Sequence, residues 1–238
     1  MIDWHGRVVM ISGANRGIGL QIARRLVADG ASVSLGARDT TALSEATADL
    51  PGEQVLRHAY DALEEGSDAT WVAATIDRFG SLDGLVNCAG ILESYTVDEG
   101  DESVLDEMFA VNVKAPLRLT RLALPHLREC GTGRIVNLSS LSGIRVVNDE
   151  VGYAISKFAV TALSQATKRA GWDDGVRVTN LSPGYVATDM PRSLDVDLDL
   201  ATVVQPEDLA VLVSTVMALP NTASVAQLSV ACRYEPMV

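Results

Sequence analysis

Short apolar runs alternate with longer amphipathic stretches along the whole 238-residue chain, and this alternation constrains the fold more than any other feature. The strand-like runs are Arg7 to Ser12, Ser32 to Leu35, Gln54 to Ala59, Gly84 to Asn87, Arg134 to Leu138, Arg177 to Leu181 and Val225 to Ala231. Most are continuously apolar, as strands covered on both faces are. Helix-like stretches lie between them, at about 17–29, 40–49, 64–79, 102–129, 152–170 and 206–219. The pattern predicts one α/β domain over 1–238, a doubly wound seven-stranded parallel sheet with helices on both faces. In such sheets ligands bind beyond the carboxyl ends of the strands, so chemistry belongs in the strand-to-helix turns.

Composition removes several functions. Hydrophobic residues at 47% supply a sizeable core, and a formal charge of -12 repels phosphate backbones and anionic lipid surfaces, so neither nucleic acid nor membrane is an expected partner. The longest apolar runs, such as Leu209 to Leu219, are too short to span a bilayer, and Asp3 stands where a signal peptide needs basic residues. The expectation is a soluble, cytoplasmic protein. Three cysteines, Cys88, Cys130 and Cys232, form no C-x-x-C pair and suggest neither a disulfide framework nor a metal site.

The first strand leads into Ser12-Gly13-Ala14-Asn15-Arg16-Gly17-Ile18-Gly19 and then the amphipathic stretch from Leu20. Glycines there let the backbone turn tightly and approach a ligand, while a helix N-terminus offers N–H groups and a positive dipole end to a diphosphate. The turn therefore predicts a dinucleotide-binding Rossmann fold, against the plainer reading of a tight turn with close helix–strand packing. At the end of the second strand, Ala37 occupies the place of the acid that would hold the ribose 2′-hydroxyl of NAD, and Arg38 follows with a guanidinium suited to a 2′-phosphate. Arg16 adds a second positive charge, and Asp39 is the competing NAD-type acid. NADP(H) is favoured over NAD(H).

Five tyrosines and three lysines in 238 positions predict about 0.06 Tyr-x-x-x-Lys pairs by chance, and one occurs, at Tyr153 and Lys157. On a helix the two share a face, so the ammonium lies near the phenol or a ribose beside it. A neighbouring cation favours the phenolate, which would let Tyr153 exchange a proton at working pH. In the long predicted helix, Pro116 lies four residues after Asn112; lacking an N–H, it deprives the Asn112 carbonyl of its helical partner and bends the helix.

Several segments in register over about residues 7–190 resemble a classical short-chain dehydrogenase/reductase. They are Ser12-Gly13 with Gly17-Ile18-Gly19, Asp61, Asn87-Cys88-Ala89-Gly90, Asn112, Ser139-Ser140, Tyr153-x-x-x-Lys157 and Pro183-Gly184-x-Val186-x-Thr188. Ser12 replaces the family's threonine, Cys88 its usual second asparagine, and the last strand lacks the glycines that often follow it; the ending is similar to one subset of carbonyl-reducing members. The resemblance implies that Ser140, with Ser139 the weaker choice, orients the substrate oxygen, that the Asn112 carbonyl holds a water of a proton relay, and that Val186 and Thr188 orient the carboxamide. It makes Gly13, Asn15, Arg16, Gly17, Ile18, Gly19, Arg38, Asp61, Asn87, Ala89, Gly90, Pro183 and Gly184 cofactor contacts, together with Tyr153 and Lys157. It further implies a substrate-covering loop at about 189–205 and pairing through helices 102–129 and 152–170 into a dimer or tetramer. The expected activity is that of an NADP(H)-dependent carbonyl reductase, moving hydride between cofactor and a small-molecule ketone, aldehyde or secondary alcohol. An NADP(H)-sensing binding protein on the same fold, or an NAD-preferring dehydrogenase, are the alternatives.

Overall fold

A computed structural model describes residues 1–146, 148–190 and 199–234. Seven parallel strands run in the order β3-β2-β1-β4-β5-β6-β7: β1 (Val8–Ser12), β2 (Ser32–Ala37), β3 (Val55–Ala59), β4 (Gly84–Asn87), β5 (Arg134–Leu138), β6 (Arg177–Pro183) and β7 (Gln227–Val230). The helices are α1 (Gly17–Ala28), α2 (Thr40–Ala46), α3 (Ser67–Phe79), α4 (Glu102–Phe109), α5 (Ala115–Glu129), α6 (Val151–Gly171) and α7 (Pro206–Met217). The doubly wound α/β expectation holds, with β6 reaching two residues further than the apolar run indicates and β7 starting two residues later.

Continuous apolar strands are explained by two cores. On β1, Val9 and Ile11 pack with Ile22 and Leu26 of α1 and Leu209, Val213 and Met217 of α7, whereas Met10 between them packs with Trp71 of α3 and Leu119, Ala123 and Leu127 of α5. Alternate side chains of one strand thus enter opposite cores, and both faces must be apolar. Trp71 is fully buried, and its indole N–H donates to Ser34 Oγ at 2.9 Å. A Cβ on Gly36 of β2 would come within 2.6 Å of the Trp71 ring, so the indole occupies space that glycine alone leaves open.

Polar side chains also tie the strands together within the buried layer. The Asn87 amide donates to Asn137 at 2.7 Å, Asn137 to Ser164 at 2.9 Å, and Ser164 to Asn180 at 3.2 Å, linking β4, β5, α6 and β6. The amide nitrogens of Asn87 and Asn137 and the amide oxygens of Asn137 and Asn180 thus have partners, while Asn87 Oδ1 is left without one among the described residues.

The long helix expected at 102–129 is α4 and α5 joined by a π-helical turn, Ala110–Lys114, in which the Ala115 N–H donates to the Ala110 carbonyl. The wider turn accommodates Pro116, which has no N–H to continue the i to i−4 ladder. Most of the substrate-covering loop expected at 189–205 falls on residues 191–198, outside the described residues; beyond it Asp199 caps a short turn at Leu200–Thr202, and Val204 bridges to Val186. Among the described residues, no helix is long and apolar enough to cross a membrane.

The strand order reverses between β1 and β4, because the chain leaves the far edge at β3 and returns beside β1. The turns after these two strands therefore diverge and leave a crevice at the carboxyl ends, where a doubly wound sheet binds its ligand.

Candidate active site

The turn after β1 lines a cavity of about 430 Å³, together with Arg38, Asp39, Asp61, Cys88, Ala89, Gly90 and Thr188. Gly13 has φ +69°, and a Cβ on it would lie 3.0 Å from Cα of Ala89; one on Gly19 would lie within 2.4 Å of the Gly13 carbonyl oxygen. Ser12 fixes the two turns against each other, its hydroxyl oxygen accepting from the N–H groups of Cys88 at 3.0 Å and Ala89 at 3.1 Å. Arg16 begins α1 in extended backbone with no side-chain cap, and the first turn of the helix holds no acid. An uncapped helix N-terminus beside a glycine turn fits the diphosphate of a dinucleotide.

At the end of β2 both candidate determinants, Arg38 and Asp39, are exposed and line the cavity. Asp39 caps α2, one carboxylate oxygen accepting from the Ala42 N–H at 2.9 Å. One oxygen of the carboxylate that would read a ribose 2′-hydroxyl is thus engaged in starting a helix. Arg16 Nη1 lies 3.6 Å from Asp189 Oδ2, and both line the same cavity.

A second cavity, of about 150 Å³, is lined by Ser140, Tyr153, Lys157, Pro183, Gly184, Val186 and neighbours, and it shares Ile18, Cys88, Gly90, Thr188 and Met190 with the first. Tyr153 and Lys157 lie on α6 as the i, i+4 spacing predicts, with Lys157 Nζ 5.4 Å from the centre of the Tyr153 ring. Ser140 follows β5 and lines this cavity with Tyr153, its hydroxyl accepting from the Ser142 N–H at 3.1 Å. Ser139 lines the same cavity, but it is buried and its hydroxyl donates to the Lys157 carbonyl at 3.0 Å, pinning the strand end to α6.

The electrostatics depart from expectation. Burial pushes the Tyr153 phenol up to about 12, only partly opposed by the Ser140 hydrogen bond; the favourable influence expected from Lys157 is not among the causes. Burial also drives Lys157 down to about 8, with Cys88 opposing it, and the ammonium donates to the Leu138 carbonyl at 2.9 Å. Desolvation outweighs the cation–phenol attraction in a buried site. The Cys88 thiol is likewise pushed up to about 12 by burial, which leaves it protonated despite Lys157 nearby and an N–H from Gly19.

Most of the residues singled out in the sequence line one or other cavity: Gly13, Asn15, Arg16, Gly17, Ile18, Gly19, Arg38, Asp61, Ala89, Gly90 and Thr188 the first, and Pro183, Gly184, Val186, Ser140, Tyr153 and Lys157 the second. Asn87 is placed differently. It lines neither; its buried side chain donates to Thr120 and Asn137, which makes it a strand-to-strand tie. Asn112 also lines neither cavity. Its amide is fully occupied, bonding both the N–H and the carbonyl of Ile91 and the Ser156 hydroxyl, and a Cβ on Gly90 would lie 3.2 Å from Asn112 Oδ1 and 3.5 Å from Lys157 Nζ. Asn112 is therefore separated from the lysine by the width of a glycine. Tyr60, Tyr185, Glu150 and Arg233 line the cavities without having been singled out, since only folding brings these sites in the sequence to one wall.

The sequence of residues 7–199 matches the model of the short chain dehydrogenase family. The chain is 41% identical over 230 residues to an agropine synthesis reductase of Rhizobium rhizogenes, covering 96% of this chain and 53% of that protein, so it spans about half that relative's length. It is 31% identical over 233 residues to an uncharacterized oxidoreductase of Staphylococcus saprophyticus, covering 97% and 99% of the two. Among solved structures it is similar to an alcohol dehydrogenase of the archaeon Thermococcus sibiricus complexed with 5-hydroxy-NADP, with a TM-score of 0.87, 30% identity and coverage of 96% and 97%. With the glycine turn, the Ser140–Tyr153–Lys157 cluster and the sheet order in agreement with that match, the chain belongs to the short-chain dehydrogenase family of oxidoreductases.

Proposed function

We propose that this protein is an NADP(H)-dependent reductase of ketones or aldehydes that also oxidises the corresponding secondary alcohols. The observation that carries the proposal is that Ser140, Tyr153 and Lys157 line one cavity that shares a wall with the glycine-lined one. The preference for NADP(H) rests on the Arg38 guanidinium beside the cavity and on Asp39, which lines it too, giving one carboxylate oxygen to the cap of α2. NADP(H), when bound, supplies or accepts the hydride.

In the reducing direction Tyr153 gives its proton to the carbonyl oxygen of the substrate, and Ser140 donates a hydrogen bond to the same oxygen as negative charge develops there. Lys157 directs its ammonium to the hydroxyls of the nicotinamide ribose and lies along the route by which Tyr153 regains its proton. The Asn112 carbonyl, in the π-helical turn, holds a water of that route. Val186 and Thr188, with Pro183 and Gly184, form the surface against which the nicotinamide carboxamide is oriented. A cytoplasmic homo-oligomer is part of the same proposal.

The test is titration with NADPH and NADH, followed by a spectrophotometric screen of ketones and aldehydes. Micromolar NADPH binding, at least about tenfold tighter than NADH, with turnover of a carbonyl is the expected result. Arg38→Ala is expected to weaken NADPH about 10- to 100-fold and leave NADH within about threefold. Preference for NADH would remove the Arg38 argument, and tight binding without turnover across a broad panel would favour the sensing alternative.

A further inference from the structure

Behind the wall of the two cavities, three parts of the chain are joined through one hydroxyl. The turn after β4 contributes Ile91, which lines the glycine-lined cavity; the π-helical turn contributes Asn112; and α6 contributes Ser156, which stands between Tyr153 and Lys157 in the sequence. The Asn112 amide oxygen accepts from the Ile91 N–H at 2.8 Å, and its nitrogen donates to the Ile91 carbonyl at 2.9 Å and to the Ser156 hydroxyl at 3.0 Å. Ser156 is fully buried, and its hydroxyl donates in turn to the Tyr153 carbonyl at 2.7 Å. A serine that bonds a carbonyl of its own helix is common; this one also accepts from a residue of another element. The approach is allowed by a small neighbour on the same face. One turn before Ser156, a Cβ on Gly152 would lie 2.7 Å from Met108 Cε of α4 and 2.9 Å from Tyr95 Cβ, so α6 lies close against α4 and the turn that follows it. Both hydrogens of the Asn112 amide and the proton of the serine are thus in use at a buried place. Without the serine hydroxyl, one Asn112 N–H is buried with no acceptor, which favours an amide turned away from α6.

We propose that Ser156 is a positioning residue of the reaction: by tying the Asn112 amide to the Tyr153 carbonyl it holds the π-helical turn, and with it the main-chain carbonyl of Asn112 that receives the relay water, in a fixed place against the helix that carries Tyr153 and Lys157. This rests on the carbonyl-reductase reading above and adds to it the residue that keeps the relay and the proton donor in register.

The test measures kcat with NADPH and the most rapidly reduced carbonyl for the wild type, Ser156→Ala, Asn112→Ala and the double variant. Ser156→Ala is expected to lower kcat about 10- to 100-fold while NADPH affinity and the carbonyl KM stay within about threefold, and to raise the solvent deuterium isotope effect on kcat as return of the proton to Tyr153 becomes slower than hydride transfer. In the Asn112→Ala background the same change is expected to add less than about twofold, because its partner is already gone. Ser156→Cys, close to serine in size but a weaker donor and acceptor, is expected to fall between, and it takes the place of Ser156→Ala if that variant does not fold. A kcat unchanged in Ser156→Ala, or a loss that multiplies with that of Asn112→Ala, overturns the proposal and leaves the reductase reading intact. If the wild type reduces no carbonyl, the reductase reading falls and amide exchange of the NADPH-saturated protein decides the positioning. Faster exchange in Ser156→Ala confined to the π-helical turn upholds it, and exchange that is unchanged, or faster throughout the molecule, overturns it.

Discussion

Tyr153 and Lys157 are moved in opposite directions by the same cause. Burial holds the phenol in its protonated form up to about 12 and lets the ammonium lose its proton near 8, so between these values both groups are neutral. A neutral phenol is the form that the proposed reduction requires of a proton donor. If the charged form of Lys157 holds the cofactor ribose, NADPH affinity is constant below its pKa and weakens as pH rises through about 8; a fluorescence titration across pH 6–10 is expected to show this inflection in the wild type and none in Lys157→Met. Tyr153→Phe is expected to lower carbonyl turnover by about 10³-fold while leaving NADPH binding within about threefold, measured by steady-state kinetics beside the same titration. The tyrosine–lysine pair and the glycine turn are legible in the sequence because their chemistry depends on residue type and local spacing. The choice of Ser140 over Ser139 was available from the spacing, and its reason appears only in the fold, where Ser139 bonds the Lys157 carbonyl. That the Asn87 side chain enters the sheet interior while its motif neighbours line the cavity is visible only in the fold.

Helix boundaries followed the amphipathic pattern closely, but the π-helical turn at Ala110–Lys114 did not. Pro116 announces that the ladder must be interrupted; which residue absorbs the disruption, and whether by a kink or a widened turn, depends on the register in which Asn112 meets Ile91. The pairing of Gly36 with Trp71 was equally hidden, because an inward-facing glycine in a strand has no local signature of the ring that fills its place. It yields a prediction on stability. Gly36→Val drives two methyl groups into the indole and is expected to destabilise by at least about 1–3 kcal/mol, and Trp71→Ala, which opens a cavity between α3 and the sheet, by about 3–5 kcal/mol, both read from urea unfolding midpoints.

At the scale of the molecule, strand alternation gave the architecture, whereas the order β3-β2-β1-β4-β5-β6-β7 is a finding of the structure that periodicity does not encode. Leu117 of α5 and Ile155 and Phe158 of α6 are 39%, 46% and 42% exposed, leaving apolar surface on the two helices through which pairing is expected. Light scattering at micromolar concentration is expected to give the mass of a dimer or tetramer, and a monomer would remove the homo-oligomer from the proposal.

The place of Trp71 has a spectroscopic consequence. Its indole is sealed from water, so its emission should lie at the blue end of the tryptophan range, whereas Trp172, 40% exposed with a guanidinium 3.7 Å above its ring, should emit further to the red. The ring centre of Trp71 lies 4.8 Å from that of Tyr60, which lines the larger cavity. A ligand settling against Tyr60 perturbs the field felt by the indole without displacing it. Occupancy of the cavity is then written in the colour and yield of a side chain that does not line it.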